Sequence, residues 1–384
     1  MSTVFDVAII GAGINGCASA HFLARAGLSV ALFDKEGIAS GGSGAAGAFI
    51  SPKVSKSGPL KNLMDDAYAF SLSFYDTAFP QHLTKVAQLH IAKFDDENAK
   101  VDYFKKHSRM KVSEAPEGIA ALLSDEARAF SSVYFEHSGV VDAEAMCREL
   151  ASKAEFFQQE VTELKRLQNE WKINSVTAKR VILATGAFEP VMKEPYIALR
   201  GVWGHRIDIR TSTKIGAIIH HRVSLAPTDS EGNSAIGATH NVHYHPQKND
   251  EPYDIEAGRQ ELLEKAMATV SLGEVEILRD YTGLRSGSND YMPMLGRLVD
   301  AQATLAAFPE LRNGAKVDTS EYCYYEDLYM INGSGGYGFV LAPYLASQLC
   351  EHIAHQNDID EQLEPARFFT RWVKKEESGG EGRS

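Results

Sequence analysis

The first 34 residues contain two apolar segments separated by a glycine-rich turn and an alanine-rich stretch. Residues 4–10 are almost all apolar, which predicts a parallel strand buried on both faces. Residues 11–16 read GAGING, the G-x-G-x-x-G pattern, and the following stretch predicts a helix that ends at Gly27. A second strand, 29–33, ends in the acidic Asp34. This order predicts a βαβ unit that binds a dinucleotide.

The three motif glycines have separate tasks in such a unit. Gly11 permits the tight turn, Gly13 lets a pyrophosphate approach the backbone, and Gly16 lets the helix pack close to the strand. The free N–H groups at the start of the helix favour the pyrophosphate. An acid at the end of the second strand is expected to reach the adenosine ribose. The residues of this unit expected at the cofactor are Gly11, Gly13, Ile14, Asn15, Gly16, Asp34 and Lys35.

Three later segments favour FAD over NAD or NADP. Residues 41–48 are small, which predicts a backbone lying against a flat or charged group, although a flexible linker has the same composition. Residues 180–187 predict a strand that ends in Ala-Thr-Gly at the rim of the same sheet. A strand at 328–332 leads through a second glycine-rich turn into a helix at 341–353, whose N-terminus can face an electron-rich ring. The further contacts expected are Gly42, Ser43, Gly47, Ala48, Val161, Ala184, Thr185, Gly186, Gly335, Gly336, Tyr337, Gly338 and Phe339.

Composition limits the remaining possibilities. The 384 residues carry a formal net charge of −12, so any polyanionic partner must meet local basic patches. Such patches are found at 53–61, 105–111 and 367–375, although short charge clusters are usually solvated surfaces. The four cysteines lie far apart and are expected to be reduced thiols. With no signal peptide or membrane span apparent, a soluble cytoplasmic protein is expected.

With its segments in this order, the chain resembles the D-amino-acid oxidase and glycine oxidase superfamily of FAD enzymes. Within it, residues 41–56, 283–296 and 368–375 are most similar to the oxidase domain of the MnmC family, which acts on tRNA. The resemblance implies an α/β fold with non-covalent FAD on a Rossmann-type domain, and a second α+β substrate domain built on an antiparallel sheet. The boundaries expected are 1–80, 136–195 and 282–375 for the FAD-binding domain, 81–135 and 196–281 for the substrate domain, and 376–384 for a disordered tail.

The resemblance also implies a reaction. Arg285 would bind the substrate carboxylate, although a structural ion pair with a neighbour such as Asp290 is an alternative. Hydride transfer to FAD from a CH–NH bond, followed by imine hydrolysis, would remove the carboxymethyl group of 5-carboxymethylaminomethyl-(2-thio)uridine at tRNA position 34. The products would be the aminomethyl form and glyoxylate, with molecular oxygen as electron acceptor. Tyr337, Phe49 and Ile50 are expected beside the ring by their family position, with a role in packing alone as the alternative.

Departures from the family pattern define the alternatives. Bifunctional MnmC proteins carry a methyltransferase domain ahead of the oxidase, whereas this sequence begins at the flavin-binding strand, so a stand-alone oxidase is expected. A separate methyltransferase is a candidate partner. The turn at 335–339 is more similar to that of small-amine oxidases, so an oxidase of glycine, sarcosine or a D-amino acid is the second hypothesis. A non-catalytic flavoprotein that serves as a binding partner is the third.

Two further patterns are interpreted conservatively. His243 and His245 would share one face of a strand, but the spacing supplies no third ligand, so a strand of the substrate domain is expected and no metal. Cys323 lies about where sarcosine oxidase relatives attach flavin covalently. The surrounding motif is missing, so no covalent bond is expected.

Overall fold

The structure is a computed structural model that describes residues 4–188 and 191–380. Its strands, in chain order, are β1 (Val4–Ile10), β2 (Val30–Asp34), β3 (Phe49–Ile50), β4 (Leu83–Ile91), β5 (Ser132–Val141), β6 (Glu155–Gln158), β7 (Leu164–Arg166), β8 (Trp171–Ile173), β9 (Val176–Leu183), β10 (Leu199–Thr211), β11 (Ile218–His220), β12 (Ser224–Leu225), β13 (Asn233–Gly237), β14 (Val275–Ser288), β15 (Met294–Val299) and β16 (Tyr324–Asn332).

The α-helices of the described residues range from single turns to five turns. In chain order they are α1 (Ile14–Arg25), α2 (Pro59–Ala78), α3 (Asp95–His107), α4 (Glu117–Ala120), α5 (Asp125–Arg128), α6 (Ala143–Ala151), α7 (Ile255–Met267), α8 (Ala301–Ala307), α9 (Gly338–His355) and α10 (Ala366–Gly380). None of these helices is long and apolar enough to cross a membrane.

The first sheet has the order β15-β16-β9-β1-β2-β6, and a β7–β8 hairpin extends it from β9. Strands β16, β9, β1, β2 and β6 are parallel, whereas β15 pairs with β16 in the antiparallel sense. Val7 and Ile9 of β1 are buried under α1 and α9, while Ala8 and Ile10 are buried in a second core on the opposite face. The apolar run at 4–10 is therefore a strand covered on both sides, as predicted.

The second sheet has the order β14-β10-β13-β12-β11-β4-β5-β3. Its pairs are antiparallel except for β11 and β4, which are parallel. Helix α7 packs on one face, where Leu262 and Ala266 are buried against Ile207 and Ile209 of β10. A parallel sheet covered by helices beside a largely antiparallel sheet is the predicted fold class, which is therefore confirmed.

The two sheets draw on interleaved segments of the chain. The expected substrate-domain segments 81–135 and 196–281 contribute strands to the second sheet, which also takes in β3, the end of β5 and the end of β14. Near the C-terminus, helix α10 continues to Gly380. Residues 376–380 are thus helical, which differs from the disordered tail expected there, and 381–384 lie outside the described residues.

Candidate active site

A cavity of about 1080 Å³ lies between the two sheets. This slightly exceeds the common range for ligand sites, about 300–1,000 Å³, and suits a dinucleotide together with a substrate. It opens at the carboxyl ends of β1, β9 and β16, where ligands bind to open parallel sheets. Of the residues predicted at the cofactor, all line this cavity except Gly16.

The glycine motif is packed so tightly that side chains are excluded. Gly11 has a left-handed φ of 107°, and a Cβ there would overlap the carbonyl of Ala184 at the end of β9. A Cβ on Gly16 would overlap the carbonyl of Gly11. Gly16 therefore serves helix packing, as the sequence predicted for its role, and lies behind the cavity wall rather than at its surface.

Asp34 connects the motif to the segment after β2. Its Oδ2 accepts a hydrogen bond from the N–H of Ala12 at 2.9 Å, and its Oδ1 accepts those of Glu36 and Gly37 at 3.0 and 3.2 Å. A carboxylate oxygen has two lone pairs, so Oδ2 retains the capacity to accept a ribose hydroxyl. Asp34 thus has a structural role that sequence reasoning missed, in addition to its predicted place at the cavity.

Two helices direct their N-termini at the cavity. Helix α1 begins after Gly13, and α9 begins after Tyr337. Neither helix has an acidic residue in its first turn or an N-cap residue whose side chain accepts a hydrogen bond, although Ser43 accepts the N–H of Ile14 in α1. Their free N–H groups and partial positive charges are therefore available to a pyrophosphate and to an electron-rich ring.

The small residues at 41–48 lie against the backbone of β14. A Cβ on Gly42 would stand 2.6 Å from the carbonyl oxygen of Leu284, and a Cβ on Gly283 would stand 2.8 Å from the Cα of Gly42. Ser43 accepts a hydrogen bond from the N–H of Ile14 at 2.9 Å. The segment is therefore a packed connection between the two sheets, and the linker interpretation is wrong.

The hydrogen-bond donors in the cavity wall fit FAD. Besides the two helix N-termini, the hydroxyl of Thr185 lines the cavity and is buried without a hydrogen-bond partner in the described residues. A buried polar atom without a partner is costly, and a bound polar ligand would satisfy it.

All four cysteines are described, and none of them lines the cavity, Cys323 included.

Arg285 lies in the part of the cavity wall that the second sheet forms. It pairs with Val202 across β14 and β10, and its side chain extends over Gly204, where a Cβ would overlap the guanidinium. One N–H group donates to the carbonyl oxygen of Thr239 at 2.9 Å, and no carboxylate within the described residues forms an ion pair with it. Burial lowers the pKa of Arg285 below its ordinary value. A desolvated guanidinium without an acidic partner is a site for an anion.

Asp290 is not the partner of Arg285. Its carboxylate accepts hydrogen bonds from Arg367, at 2.9 Å to Nε and 3.3 Å to the second guanidinium nitrogen, and from Ser288 at 2.9 Å. Although burial opposes it, the ion pair with Arg367 and these hydrogen bonds keep the pKa of Asp290 below its ordinary value. The alternative of a structural Arg285–Asp290 pair is therefore wrong.

Tyr337 lies at the entrance of α9 with 37% of its surface exposed. The ammonium group of Lys53 donates to its hydroxyl at 3.3 Å and lies 4.5 Å from its ring centroid. Phe49 also lines the cavity, whereas the neighbouring Ile50 is fully buried behind it.

A histidine cluster in the second sheet was missed by sequence reasoning. His220 contacts the hydroxyls of Ser51 at 3.1 Å and Ser224 at 2.6 Å, and the ring of His90 lies 6.5 Å away. Burial, assisted by the charge of Lys93, lowers the pKa of His220 to about 4. These imidazoles are therefore neutral at pH 7. The residues come from three separate segments, and no spacing in the sequence brings them together.

The cavity wall away from Asp34 carries mostly basic side chains. Near Asp34, the wall contains Lys35 together with the acidic Glu36 and Glu160. In the remaining wall, as far as the structure describes it, the only carboxylate is Glu97. The basic side chains of this wall, called the cationic rim below, are Lys53, Lys93, Lys100, Arg200, Arg222, Lys265 and Arg285.

The histidines at 240–245 lie in a loop and not in a strand, so the expected strand is wrong. The side chain of Asn241 accepts the N–H groups of His243 at 2.9 Å and Tyr244 at 3.0 Å. This turn competes with strand pairing. Within the described residues, no group of three or more His, Cys, Asp or Glu side chains could hold a metal ion.

The chain is similar to known proteins over nearly its whole length. A family model described as FAD dependent oxidoreductase (DAO) matches residues 6–352. The bifunctional protein MnmC of Leptospira interrogans, named for tRNA 5-methylaminomethyl-2-thiouridine biosynthesis, is 24% identical over 96% of this chain and 61% of the relative. The chain thus spans about 60% of the length of the curated relatives it matches.

Solved structures share the fold. Glycine oxidase from Bacillus cereus has a TM-score of 0.73 at 22% identity, covering 92% of this chain and 96% of that chain. L-alpha-glycerophosphate oxidase from Mycoplasma pneumoniae, solved with FAD bound, has a TM-score of 0.74 at 15% identity, covering 94% and 98%.

Proposed function

Since the chain belongs to the family of FAD-dependent oxidoreductases, we propose that it oxidises a carbon–nitrogen bond beside a carboxylate, and that its substrate is a carboxymethylaminomethyl-uridine at the wobble position of tRNA. FAD supplies the hydride acceptor for such a reaction. Hydrolysis of the resulting imine gives a primary amine on the uridine and glyoxylate. Molecular oxygen is the electron acceptor in this proposal.

The proposal that the substrate bears a carboxylate rests on one observation, the environment of Arg285. Its guanidinium lies in the cavity wall without an acidic partner among the described residues, and its planar donors can bind both oxygens of a carboxylate at once. Bidentate binding fixes the orientation of the adjacent CH–NH bond. Positioning of this kind supplies much of the rate, so no protein base is required.

The cationic rim supports an RNA substrate. One substrate carboxylate needs one guanidinium, whereas the rim brings seven cationic side chains to the cavity wall of a chain with a net charge of −12. Three of the seven are in ion pairs with glutamates, namely Lys100 with Glu97, Arg222 with Glu126 and Lys265 with Glu261. The others are not in ion pairs within the described residues. Phosphate groups on either side of a reacting nucleotide would use the additional cations. The MnmC relative is named for a tRNA modification, in agreement with this proposal.

Oxidation of a small amine is the second candidate. The glycine-rich turn at 335–339 is similar to that of small-amine oxidases, and a glycine oxidase shares the fold. Both candidates use Arg285 in the same way. They differ in whether the remaining cations of the rim are needed.

The test mixes the FAD-loaded protein anaerobically with tRNA that carries the carboxymethylaminomethyl group, with unmodified tRNA, and with free glycine and sarcosine. Loss of the flavin absorbance band with the modified tRNA alone supports the proposal. Bleaching by glycine or sarcosine alone replaces it with small-amine oxidation. Arg285→Met should retain FAD and lose kcat/KM about 30-fold or more with the true substrate, because a charged hydrogen-bonded pair is lost.

A further inference from the structure

Tyr291 is exposed beside the cavity. With 65% of its surface exposed, it is the most exposed of the large apolar and aromatic side chains in the described part of the chain. It also lines the cavity. Its backbone has a left-handed φ of 65°, an uncommon conformation for a bulky residue. An aromatic ring is therefore held in solvent at the rim of a ligand site.

The turn that presents Tyr291 is fixed on both sides. Asp290 accepts hydrogen bonds from the hydroxyl of Ser288 at 2.9 Å and the N–H of Met292 at 3.1 Å. Arg367 of α10 donates to the same carboxylate and to the carbonyl oxygen of Met292 at 2.7 Å. The position of the Tyr291 backbone is thus determined by its neighbours, while most of its side chain is exposed.

A guanidinium lies over the ring of Tyr291. The central carbon of the Arg200 guanidinium is 4.9 Å from the ring centroid, and Arg200 also lines the cavity. Arg200 pairs with Gly287, and Val202 pairs with Arg285, so the two arginines lie on one face of the sheet. Along the strands their backbone positions are offset by one two-residue repeat, about 7 Å. The guanidinium of Arg285 extends one repeat further from Arg200, over Gly204.

We propose that Tyr291 and Arg200 form a stacking platform for the nucleobase next to the one that is oxidised. This inference rests on the proposed RNA substrate. An enzyme that acts on a base must take it out of the stack, and the adjacent base then loses a stacking partner. An exposed tyrosine with a planar guanidinium, on the same face of the sheet as Arg285, replaces that partner. The cations Lys53 and Lys93 of the rim would meet the adjoining phosphates.

The experiment compares two substrates of the FAD-loaded protein. One is an anticodon stem-loop RNA with carboxymethylaminomethyl-uridine at the wobble position, and the other is the free modified nucleoside. Flavin reduction is followed anaerobically for the wild type and for Tyr291→Ala, Tyr291→Phe and Phe94→Ala. Phe94 is a matched control because it is 58% exposed and lies under Arg222 at 5.9 Å but does not line the cavity.

The platform predicts that Tyr291→Ala lowers the ratio of kcat/KM values, RNA over nucleoside, by about tenfold, mainly through KM for the RNA. Tyr291→Phe keeps the ratio, because phenylalanine retains the stacking face, and Phe94→Ala keeps it as well. An unchanged ratio for Tyr291→Ala, with the wild type reduced by the RNA, overturns the platform and leaves the proposed function standing. A wild type that is reduced by glycine or sarcosine and not by either uridine substrate overturns both.

Discussion

Gly204 has no side chain where the guanidinium of Arg285 lies. A Cβ at position 204 would overlap that guanidinium, which is the flexible end of its side chain, so the fold can tolerate Gly204→Ala while Arg285 moves. We predict that Gly204→Ala retains FAD and lowers kcat/KM about tenfold or more, because displacing a carboxylate-binding group by about 1 Å is costly. Anaerobic flavin reduction at varied substrate concentration measures this.

The matched control is Gly287→Ala in the partner strand. Gly287 lines the same cavity, yet its nearest neighbours are atoms of Arg200 at 3.8 and 3.9 Å, so a methyl group fits. Equal losses for the two alanine variants would show that the effect comes from the strand pair in general and not from Arg285.

At the residue scale, the sequence predicted residues that the local backbone geometry requires, and it missed contacts between residues that are far apart in the chain. Gly11 was predictable because its turn and close packing exclude side chains. The contact of His220 with Ser51 was not, since 169 residues separate them. Asp290 is five residues from Arg285 but forms its ion pair with Arg367, because β14 and the following turn direct the two side chains to different places.

At the element scale, the segment 41–48 couples cofactor and substrate binding. Gly42 packs on the backbone of β14 at Leu284, the residue that precedes Arg285. We predict that Gly42→Ala weakens FAD binding and raises KM, because the 2.6 Å approach of a new Cβ to the Leu284 carbonyl forces the segment and the strand apart. FAD affinity is measured by titration of the apoprotein, and KM by flavin reduction.

Gly41→Ala is the control for this substitution. A Cβ on Gly41 would be 3.6 Å from the ring of Phe188, an ordinary van der Waals contact. If both variants bind FAD as the wild type does, the close approach of the segment to β14 has no role in binding.

Local patterns predicted elements well where the pattern matched the packing. The strand at 4–10 has the same bounds in the structure as in the sequence pattern, and the predicted helix at 341–353 lies within α9. The alternation of His243 and His245 failed as a strand signal because Asn241 forms a turn instead. Alternation indicates a strand only where side-chain hydrogen bonds do not offer the backbone another partner.

At the scale of the whole molecule, buried neutral histidines make stability depend on pH. Burial lowers the pKa of His220 to about 4, from an ordinary value of 6.5. Above pH 6.5 both the folded and unfolded forms are neutral, but between pH 6.5 and 4 only the unfolded chain takes up the proton. The free energy of unfolding therefore decreases as the pH is lowered. For this residue, it is about 1–2 kcal/mol smaller at pH 5 than at pH 7. His90 acts in the same direction, since burial and the neighbouring His220 lower its pKa too.

We predict that His220→Gln reduces this loss of stability. Glutamine can still hydrogen-bond to Ser51 or Ser224 and takes up no proton on unfolding. The measurement is the difference in Tm between pH 7.5 and pH 5, which should be smaller for the variant than for the wild type. An equal difference would show that His220 does not contribute to the acid sensitivity.

The charge distribution of the whole molecule decides how an RNA could bind. A net charge of −12 repels a polyanion, so attraction must come from the cationic rim over a short range. We predict that kcat/KM for the modified tRNA falls about 20-fold between 50 and 200 mM salt if three phosphates are contacted.

The free nucleoside has no phosphate, so its kcat/KM should depend much less on the salt concentration. Lys93→Gln should make the slope of log kcat/KM against log salt concentration shallower, by the amount expected for about one phosphate contact. Lys111→Gln should leave the slope unchanged, because Lys111 lies outside the cavity and is paired with Glu136. The same salt dependence for tRNA and nucleoside would contradict phosphate binding by the rim and favour a small substrate held by Arg285 alone.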